Sequence, residues 1–371
     1  MSPRDVVVFA ELDWDGLHCQ SHVIALGMAA RGHRVLYVNR TLQRWPTIDH
    51  LRRRLRKSTG TGAAYCYAER PSNLDVVTLL HVPPVRALRG VNTALVRRQL
   101  SGIGMNDPVM IIYVPSYLAL DVASVLGVGE YHYVCYHNFD ADKVLPDLLR
   151  SEREIVTNAR TVFADSEYLR ARLARMSGGR NVHASEPGVY YELFAQSYRG
   201  DEAARCRRIA YFGGIGPHLN IPAYNALAER HEVLLIGIVD AAIRRDLSPR
   251  IVVQAPVPNR ELPGILRDVD VIALLYRDSA YMRGVIPAKF YECLATGKPI
   301  LVSGLEELDR FRDIVYVAGE DPEQVCGLVA GLDPGADVVK SRTRQDLAIH
   351  ADWSHRVRDF YETVFPGVHH D

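Results

Sequence analysis

Residues 278–304 read DSAYMRGVIPAKFYECLATGKPILVSG. The stretch passes from a polar loop into a helix and out into a strand. Pro287 fits the first helical turn, where a missing N–H costs nothing, and KPILVS (298–303) is a short apolar run. A second run, VDVIALLY (269–276), stands just before it. Apolar runs joined through a helix imply parallel pairing, and runs that are apolar throughout imply a sheet covered on both faces.

The same alternation extends in both directions. Upstream lie RIAYFGGIG (208–216), a helix from Leu219, EVLLIGIV (232–239), RIVVQAPV (250–257) and a helix around 260–267; downstream lies DIVYVAG (313–319). An independent series fills the first half, with VVVFA (6–10), a helix from Gln20, RVLYVN (34–39), LDVVTLL (74–80), VMIIYV (109–114), YHYVCY (131–136) and TVFAD (161–165). In the helix from Gln20, Val23, Leu26, Gly27 and Ala30 recur at helical spacing. Between the series, 187–207 loses any strong period and reads as a linker. The tail from Arg342 to Phe365 has an apolar stripe of Leu347, Ala351, Val357, Phe360 and Tyr361 and reads as helical. The expectation is an α/β chain of two doubly wound domains joined near residue 200.

Composition fits that size. The chain has 371 residues, 48% of them hydrophobic, and 44 basic against 44 acidic side chains. Zero formal charge argues against a broad cationic nucleic-acid surface. No uncharged apolar stretch approaches the roughly 18 residues of a membrane span. The acid-bearing N-terminal segment, with Asp5, Glu11 and Asp13, lacks the form of a signal peptide. Six cysteines without a C-x-x-C pair read as buried thiols in a reducing compartment, so a cytoplasmic, soluble protein is expected. Only five basic residues are lysines (57, 143, 289, 298 and 340). An arginine excess follows a high-GC coding sequence, so the lysines say more individually.

Ligands of open α/β sheets bind at the carboxyl ends of strands, so the loops there carry the candidate sites. In YFGGIG the glycines Gly213, Gly214 and Gly216 would let backbone N–H groups approach a phosphate, or would simply make a tight strand-to-helix turn. The loop Arg283-Gly284-Val285-Ile286 would present free amides ahead of the helix at Pro287. Lys289 and Glu292, three apart, share a helical face: either a surface ion pair, or a lysine for phosphate and a carboxylate for adjacent ribose hydroxyls. In the first half, ELDWDGLHCQSH (11–22) is long and polar for a crossover and holds Trp14, Asp15, Gly16 and Gln20. It is not the G-x-G-x-x-G of a dehydrogenase, and Trp14 could equally pack beneath the loop. YHYVCYHNFDADK (131–143) sets His137, Asp140 and Asp142 at a strand mouth, where a base or a loop cap would stand. TIDHLRRRLRK (47–57), after Trp45, is an amphipathic basic segment suited to a solvated helix face or to an anionic acceptor at a membrane surface.

The string PAKFYECLATGKPIL (287–301) resembles the nucleotide-sugar segment of GT-B glycosyltransferases, particularly those similar to glycosyltransferase family 4 and bacterial enzymes of the teichuronic-acid type. The resemblance extends to Trp14 and Gln20, RGHRVLYVN (31–39), PGVYYELF (187–194), YFGGIG and DWSHRVRDFYETVF (352–365). It implies two Rossmann-like domains facing a central cleft: an acceptor domain over 1–200, a donor domain over 201–345, and a C-terminal helix over 346–371 crossing back to the first. It implies Glu292 on the donor ribose and Lys289 on the diphosphate. Arg283 and Gly284 would assist there, Gly213 to Gly216 would face the sugar diphosphate, and backbone near Val257 would meet the base. On the acceptor side it implies Asp140 as base or anchor, with His137 as competitor, and the loop of Trp14, Asp15, Gly16 and Gln20.

Two departures stand out. The acid that many family-4 retaining enzymes carry eight positions before the second glutamate is Gly284 here, so retention is not implied. The usual Arg and Lys of the second-domain phosphate turn are absent, with His218 the nearest polar residue. The function expected is transfer of a sugar from a nucleotide-diphosphate sugar, UDP-sugar favoured, to a polysaccharide precursor or small molecule. No bound metal and no cofactor beyond the co-substrate are expected, and membrane association is at most peripheral. A nucleotide-sugar 2-epimerase and an inactive sugar-nucleotide-binding protein are the alternatives.

Overall fold

The computed structural model describes residues 4–43, 69–142, 144–145, 147–198, 208–332 and 334–367. The basic segment 47–57 with Trp45, and the expected boundary at residue 200, lie outside the described residues. The chain divides into two compact units, one of Met1–Glu186 with Arg356–Asp371 and the other of Pro187–His355.

In the first unit, strands β1 (Val6–Phe9), β2 (Val35–Val38), β3 (Leu74–Val77), β4 (Val109–Ile112), β5 (Glu130–Cys135), β6 (Thr161–Ala164) and β7 (Val182–Ala184) form one sheet. Their order is β3-β2-β1-β4-β5-β6-β7, and every pairing is parallel. Helices α1 (Gln20–Ala30), α2 (Arg89–Leu100), α3 (Tyr117–Leu126), α4 (Leu148–Asn158) and α5 (Glu167–Met176) make the crossovers. Ser116 and Ser166 cap α3 and α5 by accepting from Ala119 N and Leu169 N, and Gly127 ends α3 in the left-handed conformation at φ 70°. β1, β2 and β4 are buried at every position, as runs apolar on both faces require. The helix at Gln20 buries more than the expected stripe. Ile24, Ala25, Met28 and Ala29 are covered as well, while Ala30 is exposed.

The second unit begins with α6 (Tyr191–Ala195) and builds a sheet from β8 (Arg208–Phe212), β9 (Glu232–Ile236), β10 (Val252–Gln254), β11 (Val271–Leu275), β12 (Ile300–Ser303) and β13 (Tyr316–Val317). The order is β10-β9-β8-β11-β12-β13, again all parallel. Helices α7 (Ile221–Ala228), α8 (Leu262–Leu266), α9 (Phe290–Ala295), α10 (Pro322–Ala330) and α11 (Pro334–His350) complete it. In each sheet the strand order reverses direction between two neighbours, β1 and β4 in the first and β8 and β11 in the second. The carboxyl ends of those strands form the crevice where doubly wound sheets bind ligands.

Two expectations are corrected. The helix expected from Pro287 begins at Phe290: residues 287–289 form a tight turn, with Phe290 N donating to Pro287 O at 2.8 Å, and Lys289 becomes the capping residue. The tail is two helices, α11 and α12 (Trp353–Val364), because Asp352 is withdrawn to accept from Tyr191 N at 3.0 Å and from Ser354. Beyond the break, α12 packs in the first unit: Phe360 stacks on Phe163 at 4.5 Å, and a Cβ on Gly27 of α1 would strike Val357 Cγ1 at 2.3 Å. Leu347, placed in the apolar stripe by sequence, is 37% exposed. Among the described residues no helix is long and apolar enough to cross a membrane.

Candidate functional site

The second unit gathers its polar groups at the β8/β11 reversal. The chain leaves β8 through Gly213, whose φ of +129° favours glycine. A Cβ there would meet Lys289 Nζ at 2.3 Å, whereas one on Gly214 would meet nothing within 4 Å. Gly216 lies against the His218 ring, 3.1 Å from a built Cβ. One glycine of the three is therefore needed for close approach to a cation, and another borders open space.

Lys289 donates to Tyr211 Oη at 3.0 Å and to Tyr276 Oη at 3.3 Å. Burial pushes its ammonium toward the neutral form, but the phenols of Tyr276 and Tyr211 outweigh that and hold it above the ordinary lysine value. Glu292, partly buried one turn further on, accepts from Asn259 Nδ2 at 3.2 Å. Burial lifts its carboxyl to about 7, against the opposing pull of Lys289 and Asn259. The pair is not a solvated surface contact. His218 sits over Tyr276, ring centroids 5.6 Å apart, and burial, then Lys289, lowers its pKa.

The ends of β8 and β11, the turn before α9 and the segment after β10 thus converge on one place. Val257 packs at the edge of the core two residues from Asn259. Arg283 is exposed, and the turn at Gly284 has φ +77°. The expectation of a loop of free amides is corrected: Arg283 N donates to Ser279 O and Val285 N to Met282 O, so those two are spent inside the turn.

The loop of the first unit is held internally. Trp14 is buried, edge-on to Tyr37 at 5.0 Å, and its N donates to Asn39 Oδ1 at 2.8 Å. Gly16 N closes a turn on Asp13 O, Asp15 is exposed, and Gln20 Nε2 donates to Ser185 Oγ at 2.8 Å. Trp14 thus packs beneath the loop, the alternative open for it in the sequence, and Gln20 ties the start of α1 to Ser185.

His137 and Asp140 do share the mouth of β5 but have different company. Asp140 accepts from Arg172 Nε at 2.5 Å, while Arg172 Nη1 and Nη2 donate to buried Glu152 at 2.9 and 2.5 Å. The Arg172 hydrogen bond holds Asp140 below the usual carboxylate range despite partial burial. That is a poor setting for a proton acceptor. His137 Nε2 instead stands 3.0 Å from Asp142 Oδ2, with its ring against Phe139 at 4.8 Å. Sequence reasoning passed over four contributors: Tyr211, Tyr276, Asn259 and Arg172. Two of them lay beside positions already singled out: Tyr211 opens YFGGIG, and Asn259 is two residues past Val257. Among the described residues no group of three or more His, Cys, Asp or Glu side chains could hold a metal ion.

Comparison with known proteins places this geometry in context. No protein-family model matches the chain. It is 24% identical over 223 residues to a Bacillus subtilis (strain 168) protein, TuaH, provisionally named a teichuronic acid biosynthesis glycosyltransferase; the match spans 55% of this chain and 56% of that one. The chain thus matches little more than half the length of this curated relative. Solved structures match nearly end to end. A glycosyltransferase from Rickettsia africae ESF-5 has a TM-score of 0.67 at 10% identity, over 99% of this chain and 100% of its own. HepE of Anabaena, in complex with UDP and glucose, also scores 0.67, at 12% identity over 98% and 100%. The E. coli trehalose-6-phosphate protein bound with UDP-2-fluoro glucose scores 0.66, at 12% identity over 98% and 99%. The fold is that of the GT-B glycosyltransferases, built from two Rossmann-like α/β units.

Proposed function

We propose that this chain is a glycosyltransferase that takes a sugar from a nucleotide-diphosphate sugar, UDP-sugar foremost, and passes it to an acceptor hydroxyl without a bound metal. The observation that carries the reading is the convergence of Lys289, Glu292 and the Gly213–Gly214 turn at the β8/β11 reversal. The bound UDP and UDP-sugar of two structures sharing the fold support it.

In this reading the second unit holds the donor. Glu292 in its ionised form accepts from two ribose hydroxyls, and backbone near Val257, set by Asn259, meets the base. Lys289 supplies the charge that stabilises the departing diphosphate, a term that counts most where water is excluded. The first unit holds the acceptor, a glycan or small molecule. There His137, whose Nε2 stands 3.0 Å from Asp142 Oδ2 at the mouth of β5, is the group that takes the acceptor proton. Asp140 remains a salt-bridge partner.

The test is calorimetric titration with UDP, followed by an assay of UDP-sugars against a panel of acceptors. Lys289→Ala and Glu292→Ala should each weaken UDP binding, and His137→Ala should lower the transfer rate by about 10²–10⁴-fold with UDP affinity unchanged. Normal UDP affinity in both second-unit variants would sink the donor assignment. Conversion of the donor sugar without any acceptor would mark an epimerase instead.

A further inference from the structure

The cation of the second unit is held in an uncommon way. A methyl group on Gly213 would collide with Lys289 Nζ at 2.3 Å, so the ammonium rests directly on bare backbone. Two of its three N–H groups go to phenols, Tyr211 Oη at 3.0 Å and Tyr276 Oη at 3.3 Å. Nζ also lies 4.4 Å from the centre of the Tyr211 ring, in reach of its negative face. Tyr211 Oη donates onward to Gly214 O at 2.9 Å, and the two phenol oxygens are 3.4 Å apart. One hydroxyl therefore fastens the lysine to the glycine turn, and the other braces it from the β11 side. Among the described residues no third hydrogen-bond acceptor reaches Nζ.

A carboxylate in hydrogen-bond contact would fix the ammonium more tightly and would also cancel its charge. Phenols fix it and leave the charge in place. We propose that Tyr211 and Tyr276 are positioning residues for a diphosphate group: their hydroxyls hold the Lys289 ammonium over the Gly213–Gly214 turn with its charge uncancelled and one N–H unspent. The proposal rests on the donor-site reading given above and names what tunes that site.

The groups facing Lys289 are Tyr211 from β8, Tyr276 from the end of β11, His218 ahead of α7, and Glu292 and Cys293 on α9. Of these the phenols are its hydrogen-bond acceptors. Without them burial dominates and favours the neutral amine. The sign follows: a diphosphate binds the protonated lysine, so affinity is lost as pH rises through the lysine pKa. The phenols raise the lysine pKa, so their removal should move that loss to lower pH.

Calorimetry at pH 7 and at pH 9.5, with UDP and with UMP, on the native protein, Tyr211→Phe, Tyr276→Phe and the double variant tests this. The double variant should bind UDP about tenfold or more weakly at pH 7, from the loss of hydrogen bonds to a charged group. Its UDP-to-UMP affinity ratio should fall by a similar factor, and it should lose more affinity between pH 7 and 9.5 than the native protein does. Phenylalanine keeps the ring and its packing, and a thermal melt verifies the fold. Unchanged UDP affinity and pH profile in the double variant would overturn the proposal while leaving the donor site standing. Equal weakening of UDP and UMP would also overturn it, since loosened packing would act on both. A native protein that binds none of UDP, GDP, ADP or dTDP would defeat the donor-site reading along with the proposal.

Discussion

Two cations beside strand ends, Arg172 and Lys289, are treated in opposite ways. In the first unit Arg172 is saturated by carboxylates: Nε meets Asp140, and the two Nη atoms grip Glu152, which also accepts from Tyr133 Oη at 2.8 Å. In the second unit Lys289 touches only neutral oxygens and keeps a net charge and a spare N–H. The first arrangement is closed and can only hold the structure together. The second is open to an anion. On the donor-site reading, the charge of a cation's partners, more than its depth, decides whether it can receive a ligand.

The sharpest way to break this comparison is to delete each cation and read both stability and affinity. Arg172→Met leaves Glu152, fully buried, without its counter-charge, and the expected cost is about 3–5 kcal/mol of folding stability. UDP affinity of the folded fraction should not change. Lys289→Met should do the reverse, with a loss of UDP affinity worth about 2–3 kcal/mol and little change in the melting temperature. Urea melts and calorimetry on both variants decide it, and a large stability loss in Lys289→Met would erase the contrast.

The glycine turn sharpens it next. Gly213→Ala forces a side chain onto φ +129° and onto Lys289 Nζ, so about 2–3 kcal/mol of strain and displaced lysine is expected, with UDP affinity falling in step. Gly214→Ala meets nothing within 4 Å and should fold normally. Equal melting temperatures for the two alanine variants would contradict the geometry.

Glu292 turns the comparison into a pH effect. Its carboxyl is raised to about 7 by burial, so the stability tied to its protonated form is present below the ordinary value near 4.5 and is lost as pH rises through 7. Glu292→Gln escapes that loss. The variant should therefore gain about 1–2 kcal/mol over the native protein between pH 5 and pH 8, while binding UDP more weakly. The trade is that of a site in which a buried charge is kept for its ligand. Melting curves at the two pH values check it.

The sheets were legible in the sequence because strands buried on both faces, such as VVVF and VIALL, need apolar residues at every position. Lys289 and Glu292 stood out as candidates because they are three residues apart just after a proline and lie in the segment that carries the resemblance. Tyr211 and Tyr276 did not. Each sits at the end of an apolar strand, where tyrosine reads as core, and they meet the lysine 78 and 13 positions away only once β8 and β11 pair. The helix start was misplaced for a local reason: the Pro287 carbonyl is drawn into a turn with Phe290, which moves Lys289 from the first helical turn to the cap. Arg172, the partner of Asp140, was not legible because it lies 32 residues on in a helix of unremarkable composition.

That last pairing gives the smallest effect and the finest discrimination. Asp140 is 54% exposed on its side chain, so solvent screens its contact with Arg172, and Asp140→Asn should cost less than about 1 kcal/mol. Its carboxyl is held below the usual range by Arg172, so whatever stability it adds is present above the ordinary value and fades only as pH falls through the lowered one. At pH 7 the native and variant proteins should differ by a small constant amount, and Arg172 keeps its bidentate grip on Glu152 in both. If Asp140 took the acceptor proton, the same substitution would cut the transfer rate by orders of magnitude with stability hardly changed. A rate within a few-fold of native, beside a large loss in His137→Ala, assigns the proton to the histidine and leaves Asp140 on the closed side of the comparison.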